Sequence, residues 1–91
     1  MYTIETSNYF LRRAKKFFKK HPDLKKPFVE VVDDMRKDPF QPHLELHGLG
    51  GKLKDCCAIS LTCSYRITLT MTVAEKEIIL LDIGSHDEVY R

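Results

Sequence analysis

Residues 65 to 72, YRITLTMT, alternate apolar and polar along their whole length, with Tyr65, Ile67, Leu69 and Met71 on one side and Arg66, Thr68, Thr70 and Thr72 on the other. A period of two sends successive side chains to opposite faces, so this stretch predicts a half-buried antiparallel strand and a sheet with one covered and one polar face. Just upstream, Cys57, Ile59 and Leu61 alternate with Ala58 and Ser60, and the TCS that follows is short enough for a hairpin. Downstream, VAEKE turns the chain into IILLDI, whose apolar residues fall on both faces and predict a central strand. A short first strand is expected at YTIE, residues 2 to 5.

Two helices stand between that first strand and the hairpin. Phe10, Leu11, Ala14, Phe17 and Phe18 follow helical spacing, as do Leu24, Phe28, Val31, Val32 and Met35 at i, i+4, i+7, i+8 and i+11. Pro27 belongs in or near the first turn of the second helix. Joined by HPD, the two make a helical hairpin that has to bury both apolar stripes, and the sheet is the only surface available. The expected fold is therefore α+β, in the order β-α-α-β-β-β, with the helical hairpin on one face of a mainly antiparallel sheet. The other face is expected to be open, lined by Arg66 and threonines.

With 91 residues the chain is expected to form a single domain, residues 1–91, with its site on the surface of one modest core. No charged segment followed by an apolar one opens the sequence, and no apolar run approaches the roughly 20 residues of a membrane span. A soluble, cytoplasmic protein without a membrane partner is the expectation. Three cysteines, Cys56, Cys57 and Cys63, form neither an even framework nor a C-x-x-C pair. They read as small strand hydrophobes in a reducing compartment.

The net charge of +2 hides a basic run, RRAKKFFKK at residues 12 to 20, with six cations in nine positions and no acid. A solvated helix face is its ordinary use; phosphate contact or an acidic protein partner is the other. The second polar feature is HGLGGKLKD, residues 47 to 55. Leu49 and Leu53 are placed to anchor this segment while its glycines let the backbone turn, holding His47, Lys52 and Lys54 near the sheet edge, where lysines can bind phosphate. His43 and His47 stand four apart, but Gly48 and the alternation of Leu44 and Leu46 argue against the helix that would make them metal ligands, so no metal is expected.

Taken in order, H-x-L-x-G-x-L-K from His47, the strand carrying YRI at residues 65 to 67 and the ending IGSHDEVY resemble the RelE/ParE superfamily of bacterial toxins, with the YafQ-like branch the nearest in pattern. The resemblance covers nearly the whole chain. It implies the toxin half of a type II toxin-antitoxin system: a metal-independent, cofactor-free endoribonuclease that cuts mRNA on the ribosome and is blocked by a cognate antitoxin, expected to be small and acidic. Carried over by position, it implies catalytic roles for His47, Asp55, His86 and Tyr90, with Lys52, Lys54 and Arg66 binding RNA phosphate. Such residue types suit the chemistry, since attack by a 2′-hydroxyl needs a proton acceptor, cations on the phosphate oxygens and a donor to the leaving 5′-oxygen. Cys57 stands where that branch has a histidine, and its alternation with Ile59 and Leu61 predicts burial. The alternatives are a gyrase-inhibiting toxin of the ParE branch and a cleavage-dead domain that only binds its antitoxin.

In the tail, Gly84 and Ser85 end the last strand, so His86 is expected at the sheet rim. A single helical turn would bring Tyr90 to the same rim.

Overall fold

The computed structural model describes residues 1–51 and 55–90. Eight elements carry the fold: β1 (Thr3–Thr6), α1 (Asn8–Lys20), α2 (Lys25–Lys37), β2 (His47–Gly48), β3 (Cys57–Ser60), β4 (Tyr65–Thr72), β5 (Glu77–Ser85) and α3 (His86–Val89). The strands form one sheet in the order β1-β5-β4-β3-β2, antiparallel throughout except that β1 runs parallel to β5. The α+β fold, the helical hairpin and the interior position of β5 are as expected from the apolar patterns. Two elements are added: the two-residue β2 and the four-residue α3.

Local chemistry sets the helix ends. Ser7 caps α1 by accepting a hydrogen bond from the Phe10 amide at 3.0 Å, and Lys19 and Lys20 sit in its last turn, where the helix dipole favours cations. A 3-10 turn, Pro22–Leu24, leads into α2. That helix stops at Asp38, which precedes Pro39 and takes the extended conformation a residue before proline prefers. Phe10, Phe17, Val31 and Met35 project from the two helices into a core completed by Leu44, Ile59, Ile67, Leu69, Ile78, Leu80 and Ile83. Leu11 departs from the expected stripe and is exposed, because Phe10, Phe17, Ala14 and Phe18 already fill the buried side of the helix.

The expected alternation of β4 is broken. Thr68 pairs with Asp82 and Leu69 with Leu80, so Leu81 is an extra residue that bulges β5, and Ile67, Thr68 and Leu69 are all buried. Thr68 is buried because the face expected to lie open is partly roofed. α3 folds back over β4 and β5, with Val89 buried beneath it. The expectation of an open polar face is corrected accordingly, and the physical cause is the tail's one apolar residue that can reach the sheet.

Candidate functional site

Register across the sheet assembles two rows. His47, Ala58, Thr68 and Asp82 lie abreast on four successive strands, and Ser60, Arg66 and Gly84 form the next row. Over these rows sits α3, which begins with His86 and is capped at its end by Tyr90. The helix is only one turn long and is held by a capping box: the Ser85 side chain accepts from the Glu88 amide at 3.3 Å, and the Glu88 carboxylate accepts from the Ser85 amide at 2.9 Å. Those bonds hold the Glu88 carboxyl below its ordinary range. Beneath the helix, Gly84 leaves room that a side chain would take, since a Cβ there would stand 3.0 Å from a Glu88 carboxylate oxygen.

Tyr90 is the centre of the arrangement. Its hydroxyl lies 3.3 Å from His47 Nε2, and its ring meets the His86 ring edge to face with centroids 4.2 Å apart. His47 Nδ1 is 2.8 Å from the Glu45 carbonyl oxygen, which can only accept. Nδ1 therefore carries the proton, and in the neutral ring Nε2 is left as an acceptor facing the phenol. Burial pushes the Tyr90 phenol up, opposed by a hydrogen bond from Arg66 and its positive charge. The tyrosine is thus a neutral donor between two imidazoles, with a guanidinium beside it.

Arg66 has a second task. Its Nη1 donates to the carbonyls of Thr62, Cys63 and Tyr65 at 2.9, 3.3 and 3.1 Å, tying the β3–β4 turn. The structure thus gathers His47, Arg66, His86 and Tyr90 from three separate stretches of chain: β2, β4, and α3 with its cap. Asp55 lies in an exposed turn, and Lys52 and Lys54 lie outside the described residues. His43 pairs with Asp34 at 2.8 Å, so it and His47 take different partners. Cys57 shares the core face with Leu69 and Ile59, and burial raises its thiol pKa. Among the described residues, no group of three His, Cys, Asp or Glu side chains is placed to hold a metal ion, and no helix is long and apolar enough to cross a membrane.

Several supporting contacts have no counterpart in the sequence patterns. Glu45 takes a left-handed conformation at φ 53°, and it is this acid that turns the chain so that its carbonyl meets His47. Its carboxylate in turn accepts from the Ser60 hydroxyl at 2.6 Å. Arg13 of α1 bonds Asp82 at 2.9 Å and reaches Glu88 at 3.9 Å, connecting the first helix to the last. No motif announces these contacts. Only the S-x-x-E spacing of Ser85 and Glu88 was available as a signal, and it marks the capping box.

No protein-family model and no curated protein matches the chain. Solved structures do. A metal-bound toxin from Helicobacter pylori is 32% identical, with 98% of this chain and 99% of that one covered, at a TM-score of 0.80. The chain belongs to the RelE/ParE superfamily of toxins. Two more distant members of this superfamily share its fold: the E. coli DinJ-YafQ toxin-antitoxin complex, 17% identical over 99% of this chain and 98% of that one at a TM-score of 0.72, and a YoeB/ParE toxin from Agrobacterium tumefaciens, 10% identical over 94% and 99% at 0.74. In this RelE/ParE toxin α3 is the element that brings His86 and Tyr90 over the strand rows.

Proposed function

We propose that this RelE/ParE toxin is a ribosome-dependent endoribonuclease that cleaves mRNA, works in the cytoplasm without a metal or other cofactor, and is neutralised by a small acidic antitoxin. The observation that carries the reading is the His47–Tyr90–His86 cluster with Arg66 beside it. Two imidazoles on either side of a neutral phenol supply both proton-transfer roles that metal-free RNA cleavage requires. His47 Nε2, an acceptor because Nδ1 is committed to Glu45, takes the proton from the 2′-hydroxyl once that hydroxyl replaces the Tyr90 phenol at its single lone pair. The O2′–P bond forms as the P–O5′ bond breaks, and protonated His86 gives its proton to the leaving 5′-oxygen, leaving a 2′,3′-cyclic phosphate. Arg66 faces the charge that grows on the phosphate oxygens, with Lys52 and Lys54 in the same role. Tyr90 positions the nucleotide by stacking or by its hydroxyl. Of the two candidate bases, His47 has the observed contact to Tyr90 and a fixed tautomer, and it takes the role ahead of Asp55 in this reading.

YafQ forms a toxin-antitoxin complex with DinJ, and the basic outer face of α1 in this chain suits an acidic partner. The related Helicobacter pylori toxin is metal-bound, so the metal-free reading is tested directly by adding a chelator. Protein stripped of bound metal with a chelator and then exchanged into magnesium buffer should, with ribosomes and a defined mRNA, yield the same cut ends as untreated protein. His86→Gln should fold, bind antitoxin and cleave about 10² to 10⁴-fold more slowly, the usual loss on removing a positioned acid. Lys52→Ala with Lys54→Ala should reduce cleavage and soften its salt dependence. Wild-type cleavage by a folded His86→Gln protein sinks the mechanism, and gyrase-dependent DNA breaks in place of cut mRNA sink the function.

A further inference from the structure

A cleft of about 390 Å³ lies between α1 and the β4–β5 end of the sheet, apart from the two imidazoles. Its floor is apolar and aromatic: Phe17, His21, Tyr65 and Ile83. Its rim is cationic, with Lys16 and Lys20 exposed on α1 and Arg13 at the inner end. Ser85 and Glu88, the capping pair of α3, form the far wall.

We propose that this cleft seats an acidic peptide segment, with one large apolar side chain on the aromatic floor and flanking carboxylates on Lys16 and Lys20. This deepens the antitoxin reading above, on which it rests for the partner's origin. Volume is adequate, since pockets for compact organic groups begin near 300 Å³. Charge is complementary: among the described residues no carboxylate stands within ion-pair distance of Lys16 or Lys20, whereas Arg13 is already bonded to Asp82. The one carboxylate in the wall, Glu88, is engaged by the Ser85 amide and Arg13 and also feels the charge of Lys20, but against Arg13, Lys16, Lys19 and Lys20 the rim keeps a net positive charge.

Ring geometry argues for a side chain over a nucleobase. Phe17 and Tyr65 meet at 81° with centroids 5.1 Å apart, and His21 is tilted against both at 4.8 and 4.9 Å. Rings packed on one another in this way offer edges inside a concavity, whereas a stacked base needs a flat exposed face. An occupant touching Ser85 and Glu88 also bears on the cap of the helix that carries His86 and Tyr90, so binding in the cleft is coupled to the site without covering it.

The chain has no tryptophan, so a short synthetic peptide with one tryptophan flanked by glutamates reports its own burial. Titrating it with the full-length protein at low salt should give a saturable blue shift of its emission. Lys16→Glu with Lys20→Glu should weaken binding by at least about tenfold, while Arg12→Glu with Lys15→Glu, an equal charge change outside the cleft, should change it by less than about twofold. Equal weakening by both pairs, an unshifted emission, or displacement of the peptide by a single-stranded RNA oligonucleotide each overturns the proposal. The assay involves no cleavage, so its failure is separate from failure of the nuclease reading. If the product of an adjacent reading frame binds the Lys16→Glu, Lys20→Glu protein as tightly as wild type, the partner stands and the cleft as its seat does not.

Discussion

Val89→Ala isolates the docking of α3. Val89 is 7% exposed and is the apolar contact that holds a single helical turn onto the sheet, over Thr68, itself 5% exposed. Alanine removes two methyl groups, which at about 0.8 kcal/mol for each buried carbon comes to about 1.6 kcal/mol. Val89 also lines an open cleft of about 180 Å³ with Leu49, Cys56 and Leu81, so the shortened side chain gains no new neighbour on that side. A four-residue helix has no stability of its own, so the loss falls on the docked-to-undocked equilibrium of α3, a shift of roughly 15-fold. NMR reads this directly, because the His86 ring lies edge to face with Tyr90 and takes a ring-current shift that undocking averages away. The expected result is a reduced His86 shift and slower mRNA cleavage, with the signals of Ile67, Leu69 and Leu80 in place. Full wild-type His86 shifts in a protein whose overall melting temperature has fallen would refute the reasoning, since Val89 would then support the core and leave the docking of α3 untouched.

Acid should undock the same helix. Glu88 has its folded pKa held below the ordinary 4.5, so its contribution is fully present above 4.5 and is lost as pH falls through the lowered value; Glu88→Gln should remove this pH dependence of the Tyr90–His86 contact measured by NMR. Tyr90→Phe, which keeps the ring against His86 and loses the bond to His47, should cleave faster than Tyr90→Ala, which loses both; equal rates would show that the ring contributes nothing. Toward a thiol reagent, exposed Cys63 should react first and Cys57 last, because burial raises the Cys57 thiol and limits access; modification of Cys57 ahead of Cys63 in peptide mapping would contradict its core placement.

The sequence by itself determined the fold class and most of the core. Periods of 3.6 and 2 are set by backbone geometry, and they place Phe17, Val31, Met35, Ile67 and Leu69 inside whatever the rest of the chain does. The Gly-Ser ending of β5 also placed His86 at the rim, whereas the turn that carries Tyr90 there was only conditional in the sequence, although the S-x-x-E spacing of Ser85 and Glu88 marks its cap. Only the tertiary structure decided that this turn folds inward over β4 and β5, and so which face of the sheet is closed. The strict alternation of β4 reads as a polar outer face, yet the bulge at Leu81 and the burial of Val89 put Thr68 under cover. The partners of the site side chains were likewise invisible. Glu45 and His47 are joined through a left-handed backbone turn at a non-glycine residue, and His47 and Tyr90 meet across 43 positions of sequence. Periodicity records which way a side chain faces relative to its own element. Which element it faces depends on strand register and helix docking, and those are settled only when the whole core packs.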